Sequence, residues 1–300
     1  MSTNDHASHC AGASYKQEPN RTLTVDGVTY AYRELGPKGG IPVIFFVHLA
    51  ATLDNWDPLI IDPIAKNHHV IAFDNRGVGA STGEVPGSIE EMADDARSFI
   101  RALGFDLVDV FALSLGGMVA QGLVARHPDL VRKLVLIGTG PRGGNSTDKV
   151  AATTYLDMVR AALGRSDPKE FLFFNRDTEG KRSAKEFVKR LEERTVDRDA
   201  PISFKAFRSQ LKAIKDWGRA APMDLARITQ PTLIVNGDND RMVPTRFSKD
   251  LHRRINGSEL IIYPGAGHGS IFQFHEQFAP AAVEFLDRNA VAQRPANGAH

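Results

Sequence analysis

Ser114 lies where an apolar segment changes into a helical one. Residues 107–113 form a mostly apolar run typical of a buried strand, and residues 118–126 follow with a helical pattern. Small residues, Ala112 and Gly116, stand two positions before and after the serine. This spacing is typical of a nucleophile elbow, a tight turn that exposes a serine hydroxyl and the next backbone N–H to one cleft. The alternative interpretation is a serine that only caps the following helix.

Two later residues can activate such a serine. Asp240 and His268 each lie in a loop directly after an apolar, strand-like run. A serine hydroxyl is a weak nucleophile until a base takes its proton, and a histidine base needs a third group to fix its tautomer. The order Ser114, Asp240, His268 supplies all three groups and indicates nucleophilic attack on a carbonyl. Alternatives stay open: Asp238 as the acid, a helix cap at Asp240, or a hydrogen-bonded loop histidine at His268.

The elements that must position these residues alternate between strands and helices. Residues 22–25 and 28–33 predict a hairpin, because the intervening Asp26-Gly27 favours the tight turns that join twisted strands. Helical patterns follow, most clearly at residues 88–103, which begin with a capping box. Six further apolar runs predict strands buried on both faces: residues 41–47, 70–73, 107–113, 134–137, 232–235 and 260–263.

This alternation predicts an α/β protein with a mostly parallel, doubly wound sheet of about eight strands and helices on both faces. In such sheets the ligand crevice lies at the carboxyl ends of the strands, where the elbow serine is placed. The alternation stops over residues 143–221, which contain amphipathic helical patterns and no convincing strand. We therefore predict a helical cap inserted between two parts of one core, residues 21–142 and 222–288. Residues 1–20 and 289–300 are expected to be a disordered leader and tail.

The composition indicates which partners and compartments to expect. The chain is 42% hydrophobic and 24% charged with a net charge of +1, so neither nucleic acid nor a membrane surface is an expected partner. No apolar stretch approaches the roughly 20 residues of a membrane helix, and the leader lacks the apolar region of a secretory signal. The single cysteine, Cys10, cannot form an intrachain disulfide, so a cytoplasmic location is expected. His6, His9 and Cys10 are expected to be solvent-exposed rather than metal ligands.

Two further motifs resemble those of α/β-hydrolase-fold proteins with a helical cap. Residues 74–81 are similar to the family's Asp-x-Arg-Gly-x-Gly-x-Ser loop, in which the glycines allow a tight turn after a strand. The resemblance gives this loop an architectural role, with Asp74 and Arg76 expected to form a buried ion pair. The segment around Asp240 is similar to the family's Gly-x-x-Asp-x-x-Val-Pro motif, which favours Asp240 over Asp238 as the acid.

The resemblance also places the oxyanion hole, the pair of N–H groups that stabilise a negatively charged carbonyl oxygen. Leu115 supplies one N–H. The family usually has His-Gly after its third strand and then the residue that supplies the second N–H; here the segment is His48-Leu49-Ala50, which places that donor at Ala50. Leu49 and Ala112 stand where the family usually has glycine. A misaligned Ala50 donor would lower turnover on the order of a hundred-fold, so binding without efficient turnover is an open alternative.

Five residues are candidates for contact with the substrate: Leu49, Asn55, Trp56, Phe171 and Phe174. At Leu49 the loop is expected either to take different backbone dihedrals or to carry the leucine side chain near the nucleophile. Asn55 and Trp56 fall where the family often lines its pocket, although Trp56 equally fits a buried anchor for the following helix. Phe171 and Phe174, together with Phe173, either line an apolar acyl pocket or pack the cap on the core.

These inferences predict an intracellular serine hydrolase acting on a small-molecule substrate, with no metal or organic cofactor. Ser114 is expected to attack a carbonyl, His268 to take and return the proton, and Asp240 to orient the histidine. A small to medium carboxylic ester or lactone is the expected substrate. Proteins similar to this one use such a triad for C–C bond hydrolysis, cyanohydrin cleavage, acyl transfer or perhydrolysis, and these reactions stay open. A ligand-binding protein that has lost useful catalysis is the third hypothesis.

Overall fold

The computed structural model describes residues 14–144 and 166–288, together with Asp157, Arg160 and Gly164. Within these residues the core is one sheet of eight strands in the order β1-β2-β4-β3-β5-β6-β7-β8. Strand β2 runs antiparallel to both its neighbours and all other neighbouring pairs are parallel, which confirms the predicted mostly parallel sheet. The strands are β1 (Arg21–Val25), β2 (Val28–Leu35), β3 (Val43–Phe46), β4 (Val70–Phe73), β5 (Val108–Leu113), β6 (Val131–Ile137), β7 (Thr232–Gly237) and β8 (Glu259–Tyr263).

Helices connect most of the parallel strands, as the alternating pattern predicts. None of the helices in the described ranges is long and apolar enough to cross a membrane. The α-helices of those ranges are α1 (Pro58–Ala65), α2 (Ile89–Ala102), α3 (Leu115–Arg126), α4 (Lys169–Leu172), α5 (Thr178–Glu192), α6 (Phe204–Arg219), α7 (Arg246–Arg254), α8 (Ser270–Gln273) and α9 (His275–Asp287).

Strand β5 shows how the sheet is covered on both faces. All six of its residues are buried. Successive side chains of a strand point to opposite faces, so Phe111 and Leu113 join a hydrophobic cluster with α1 and α9. Val110 and Ala112 join a second cluster with α2 and α3. The carboxyl end of β5 is therefore a rigid position from which to present Ser114.

The described part of the cap, residues 166–221, holds α4, α5 and α6 and no strand. Phe187 of α5 stacks on Phe272 of α8, with ring centroids 4.4 Å apart. Arg190 of α5 forms an ion pair of 2.6 Å with Asp57, the residue that caps α1. Buried side chains of α6 join the cluster formed by α2 and α3. The cap is thus fixed to the core on both faces of the sheet.

The segment from Ser14 to Asn20 packs on the core, so the prediction of a disordered leader is wrong for these residues. Tyr15 is 1% exposed, and its hydroxyl donates to the Leu53 carbonyl at 2.9 Å. A polar segment can dock in this way when one aromatic side chain finds a buried site, which composition alone does not reveal. Residues 1–13 and the predicted tail at 289–300 lie outside the described residues.

Candidate active site

Ser114 occupies the turn between β5 and α3. Its backbone has φ +57° and ψ −112°, a conformation that is strained for a residue with a side chain. A Cβ at Gly116 would lie 2.2 Å from the Phe46 carbonyl oxygen, so this position requires glycine, whereas the Ala112 methyl is accommodated and fully buried. The Ser114 side chain makes no helix-capping hydrogen bond. The turn therefore has the geometry of a nucleophile elbow and not that of a helix cap.

Asp240 lies in the loop after β7, beside His268. Its Oδ2 is 2.7 Å from His268 Nδ1. Its Oδ1 accepts hydrogen bonds from the backbone N–H groups of Met242 and Val243 at 2.8 and 2.9 Å. These bonds lock the carboxylate toward the histidine. Asp238 is exposed to solvent, so Asp240 is the aspartate that contacts the imidazole.

His268 is buried, and its two ring nitrogens face different surroundings. Nδ1 faces Asp240, so Nε2 lies on the opposite side of the ring. Nε2 has no hydrogen-bond partner within the described part of the chain. His268 and Ser114 line the same cavity. This arrangement leaves Nε2 free to accept a proton, in a residue that borders the same cavity as Ser114.

The cap helps to position the histidine loop. The Phe173 carbonyl, just after α4, accepts the Gly269 N–H at 2.7 Å. The Phe173 ring meets the His268 ring edge to face, with centroids 5.4 Å apart. On the core side, a Cβ at Gly138 would lie 3.1 Å from the His268 ring, so the missing side chain gives the ring its space. Both core and cap therefore fix the imidazole.

Ala50, the expected second oxyanion donor, borders the same cavity and has φ +63°. Its N–H donates to Gln210 Oε1, in helix α6 of the cap, at 2.8 Å. Leu49 has no left-handed backbone, so the loop does not need glycine there and the strain falls on Ala50 instead. Leu115 is the first residue of α3, where an N–H has no acceptor within the helix. One expected donor is therefore open and the other is occupied by the cap.

His48, which precedes these loop residues, is held neutral. Burial lowers the pKa of His48 to about 3. Its Nδ1 donates to the Leu49 carbonyl at 2.9 Å, and its ring packs edge to face on Phe173. Its Nε2 has no hydrogen-bond partner among the described residues. The imidazole therefore adds no positive charge to the oxyanion side of the site.

A cavity of about 330 Å³ opens beside Ser114. Two charged residues of the cap border it, Asp167 and Lys169, and their side chains pair with each other at 2.8 Å. No group of three His, Cys, Asp or Glu side chains in the described ranges is placed to hold a metal ion. Most of the wall is apolar and consists of Leu49, Leu172, Phe173, Ile202, Phe204, Phe207 and Met242.

Of the five predicted substrate contacts, the structure brings only Leu49 to this cavity. Trp56 instead packs against Phe45 in the core, with ring centroids 5.0 Å apart. Asn55 Oδ1 accepts the Thr52 N–H at 2.8 Å and caps a short turn. The predicted pocket role of Asn55 and Trp56 is wrong because both side chains are used to anchor the segment before α1.

Phe171 and Phe174 also lie away from the cavity, so the acyl-pocket alternative is wrong for these two residues of the aromatic cluster, whereas Phe173 borders the cavity. Phe174 is buried against Phe187, with ring centroids 5.5 Å apart. Phe171 lies under the Arg176 guanidinium, 4.7 Å from the ring centroid. The residues between them face the cavity instead, because the single turn of α4 points neighbouring side chains in different directions.

The sequence contains a signal for two cavity-lining residues that are not among the five predicted substrate contacts. Phe204 and Phe207 are three apart on the amphipathic helix α6, a spacing that places both on one face. Both border the cavity. The pattern predicts that they share a face, but it does not predict that this face lies opposite Ser114.

The predicted ion pair between Asp74 and Arg76 is wrong. Asp74 Oδ1 accepts the Leu53 N–H at 2.8 Å, and Oδ2 accepts the Ala80 N–H at 3.2 Å. Burial raises the pKa of Asp74. Arg76 pairs with Asp95 of α2 at 2.9 Å. The Asp74 carboxylate ties its own loop to the segment that follows the oxyanion donor, which is an architectural role.

Comparison with known proteins agrees with this fold. The sequence model of a family described as "alpha/beta hydrolase fold" matches residues 41–274. The chain belongs to the α/β-hydrolase-fold family. A solved structure, an alpha/beta hydrolase fold protein from Chitinophaga pinensis, is 38% identical with a TM-score of 0.86, and the match covers 92% of this chain and 100% of that one.

The relatives of this chain include proteins that are named as hydrolases. A 2-hydroxy-6-oxononadienedioate/2-hydroxy-6-oxononatrienedioate hydrolase from Klebsiella pneumoniae is 33% identical over 76% of this chain and 80% of its own length. A bifunctional esterase/perhydrolase from Acinetobacter calcoaceticus is 29% identical over 82% of this chain and 91% of its own length. The chain is therefore a hydrolase enzyme, as the sequence predicts.

Proposed function

We propose that the protein is a serine hydrolase that cleaves a small to medium carboxylic ester or lactone through an acyl-enzyme on Ser114. The observation that carries the proposal is the 2.7 Å contact between His268 Nδ1 and Asp240 Oδ2. With Nδ1 committed to this bond, the unpartnered Nε2 is the nitrogen left to act as base in the cavity that Ser114 also lines. An esterase among the relatives supports the substrate class.

The proposed reaction has two halves. In the first, Ser114 Oγ attacks the ester carbonyl while His268 Nε2 takes the hydroxyl proton, and Asp240 stabilises the imidazolium. The carbonyl oxygen becomes an oxyanion held by the N–H groups of Leu115 and Ala50. The tetrahedral intermediate collapses, and His268 returns the proton to the leaving alcohol. In the second half water attacks the acyl-enzyme by the same steps, which releases the acid and restores Ser114.

The cavity wall supports a largely apolar acyl group. About 330 Å³ lies at the small end of the usual range for ligand sites, so the substrate is of modest size. Lys169 is the one lysine or arginine among the described lining residues, and it is paired with Asp167. A lysine that is already paired with a carboxylate attracts an anionic substrate only weakly. We therefore infer that uncharged substrates are preferred.

C–C bond hydrolysis by the same triad is the second candidate, favoured by the Klebsiella relative. The name of that relative denotes a substrate with two carboxylates. A dicarboxylate would need to break the pair between Lys169 and Asp167 to find a counter-ion in this cavity. The ester or lactone is therefore the first candidate.

Turnover of a substrate panel tests the proposal. The panel contains nitrophenyl esters of increasing acyl length, a lactone and a β-diketone. We expect Ser114→Ala to lower ester turnover at least about 10³-fold, because the nucleophile is lost. Ser258→Ala is the matched control, since Ser258 lies before β8 and, among the described residues, its side chain bonds to Ile255 of its own loop and to His252. Wild-type turnover in Ser114→Ala, or activity on the diketone alone, would contradict the proposal.

We further propose a cytoplasmic location and no nucleic-acid or membrane partner. The net charge of +1 and the single cysteine support this. Fractionation of cells that express the protein tests the location, with the cytoplasmic fraction as the expected result. Recovery in a membrane or secreted fraction would contradict it.

A further inference from the structure

Gln210 connects the cap to the oxyanion side of the site. It lies on α6, one turn after Phe207, which borders the cavity. Its side chain is fully buried, and its Oε1 accepts the Ala50 N–H at 2.8 Å. A distance of 2.8 Å is that of a well-formed N–H···O bond. The amide oxygen of Gln210 therefore stands where a substrate carbonyl oxygen would have to lie to use the same donor.

The other half of the Gln210 amide has no partner. Its Nε2 is buried and makes no hydrogen bond to any described residue. A buried polar group without a partner is destabilising, and an apolar side chain of similar size, such as methionine, would avoid this. The remaining residues on the buried face of α6 are mostly apolar, for example Leu211 and Ile214. A glutamine at this position is therefore unfavourable for packing alone.

The backbone of Ala50 is a second feature which indicates that the contact with Gln210 can change. Its φ of +63° is unfavourable for alanine, and the hydrogen bond to Gln210 helps to hold it there. When a ligand oxygen replaces Oε1, the same N–H keeps an acceptor and the loop keeps its conformation. The Ala50 N–H therefore keeps a hydrogen-bond acceptor both before and after the exchange.

We propose that Gln210 is a positioning residue that fills the oxyanion site in the substrate-free enzyme and withdraws when the substrate carbonyl binds. This inference rests on the proposed function, because it takes the Ala50 N–H as an oxyanion donor. The substrate oxygen displaces Oε1, and the freed carboxamide, with its unpartnered Nε2, becomes available to a hydrogen-bond acceptor on the substrate. Completion of the oxyanion hole is thereby coupled to occupation of the cavity under α6. No covalent bond changes in this step.

The test is the rate of Ser114 phosphonylation by a fluorophosphonate, which develops negative charge on an oxygen in the oxyanion hole. In Gln210→Met the competing oxygen is gone, and in Gln210→Asn it is withdrawn by one methylene. We expect both variants to react about five-fold faster than wild type, the effect of one neutral hydrogen bond. Ile214→Val, a one-methyl change one turn further along the buried face of α6, is the control and should react at the wild-type rate.

Wild-type protein gives a second measurement that does not depend on a variant folding. With ¹⁵N-labelled alanine and glutamine, we expect the Ala50 backbone amide and the Gln210 side-chain amide resonances both to shift on phosphonylation. A folded Gln210→Met variant that reacts no faster than wild type, or a Gln210 amide that does not shift, would overturn the inference while Ser114 still reacts. Wild-type protein that is not labelled at Ser114 would overturn the proposed function itself.

Discussion

The two sides of the catalytic cavity are built differently. On the acid–base side the Asp240 carboxylate has three hydrogen-bond partners, two of them backbone N–H groups and the third His268. On the oxyanion side, Ala50 has a strained backbone and its N–H is held by Gln210 of the cap. The three hydrogen bonds of the first side are made within the core, and Phe173 of the cap adds contacts to the histidine loop. The second depends on the cap and must change when a substrate binds.

The local backbone explains this difference. The loops after β7 and β8 are tied together by the Asn239 N–H, which donates to the Ala266 carbonyl at 3.0 Å. A Cβ at Gly237 would lie 2.2 Å from the same carbonyl oxygen, so glycine allows the two loops to meet. No comparable tie to a second core loop holds the Ala50 N–H among the bonds of the described residues; its partner is Gln210. The rigid loops after β7 and β8 thus hold the acid and the base in place, whereas the Ala50 N–H can change its partner when a substrate binds.

Removing the Asp240 carboxylate tests the acid–base side of the cavity and has the largest expected effect. Asp240→Asn leaves the loop in place but presents an amide to His268 Nδ1, which favours the wrong tautomer. We expect kcat on a nitrophenyl ester to fall about 10³- to 10⁴-fold. Asp238→Asn is the matched control two residues away, on an exposed side chain, and should stay within about two-fold of wild type. Equal losses of kcat in both variants would show that Asp240 does not act on His268 in catalysis.

Acidification tests the loop of the oxyanion side. The folded protein holds His48 neutral, with its pKa lowered to about 3, whereas a histidine of the unfolded chain takes up a proton near pH 6.5. Stability is therefore lost as the pH falls from about 6.5 toward 3. Between pH 7 and pH 4 we expect wild type to lose about 3 kcal/mol more than His48→Gln, measured by urea unfolding at both pH values. Equal losses in the two proteins would show that His48 does not resist protonation.

Relief of strain at the donor has the smallest expected effect. Ala50→Gly removes the Cβ from a residue with φ +63°, and we expect the free energy of unfolding to rise by about 1 kcal/mol. Ala51→Gly is the matched control on the next residue, which is buried and has no left-handed backbone, and it should destabilise the protein. Thermal or urea unfolding of both variants measures the difference. Destabilisation by Ala50→Gly would show that the loop is not strained at this position.

The comparison also shows what the sequence can and cannot predict. Strand β4 and the residues after β5, β7 and β8 follow local patterns, so the sheet and the positions of Ser114, Asp240 and His268 could be inferred along the chain. Gln210 could not be inferred, because it meets Ala50 across 160 residues of sequence and only the packing of the cap brings them together. The same reason explains why the sequence leaves open whether Trp56 and Phe174 line the pocket or pack in the interior, where the structure buries both. Catalytic residues at the ends of strands can be predicted from the sequence, whereas the cavity residues that the cap supplies cannot.

A crystal structure of the protein after reaction with a fluorophosphonate tests the central claim most directly. The account predicts a covalent bond to Ser114 Oγ, a phosphonyl oxygen within hydrogen-bonding distance of the Leu115 N–H, and His268 still paired with Asp240. Reaction at another residue, or an intact Ser114 after prolonged exposure to the reagent, would contradict it.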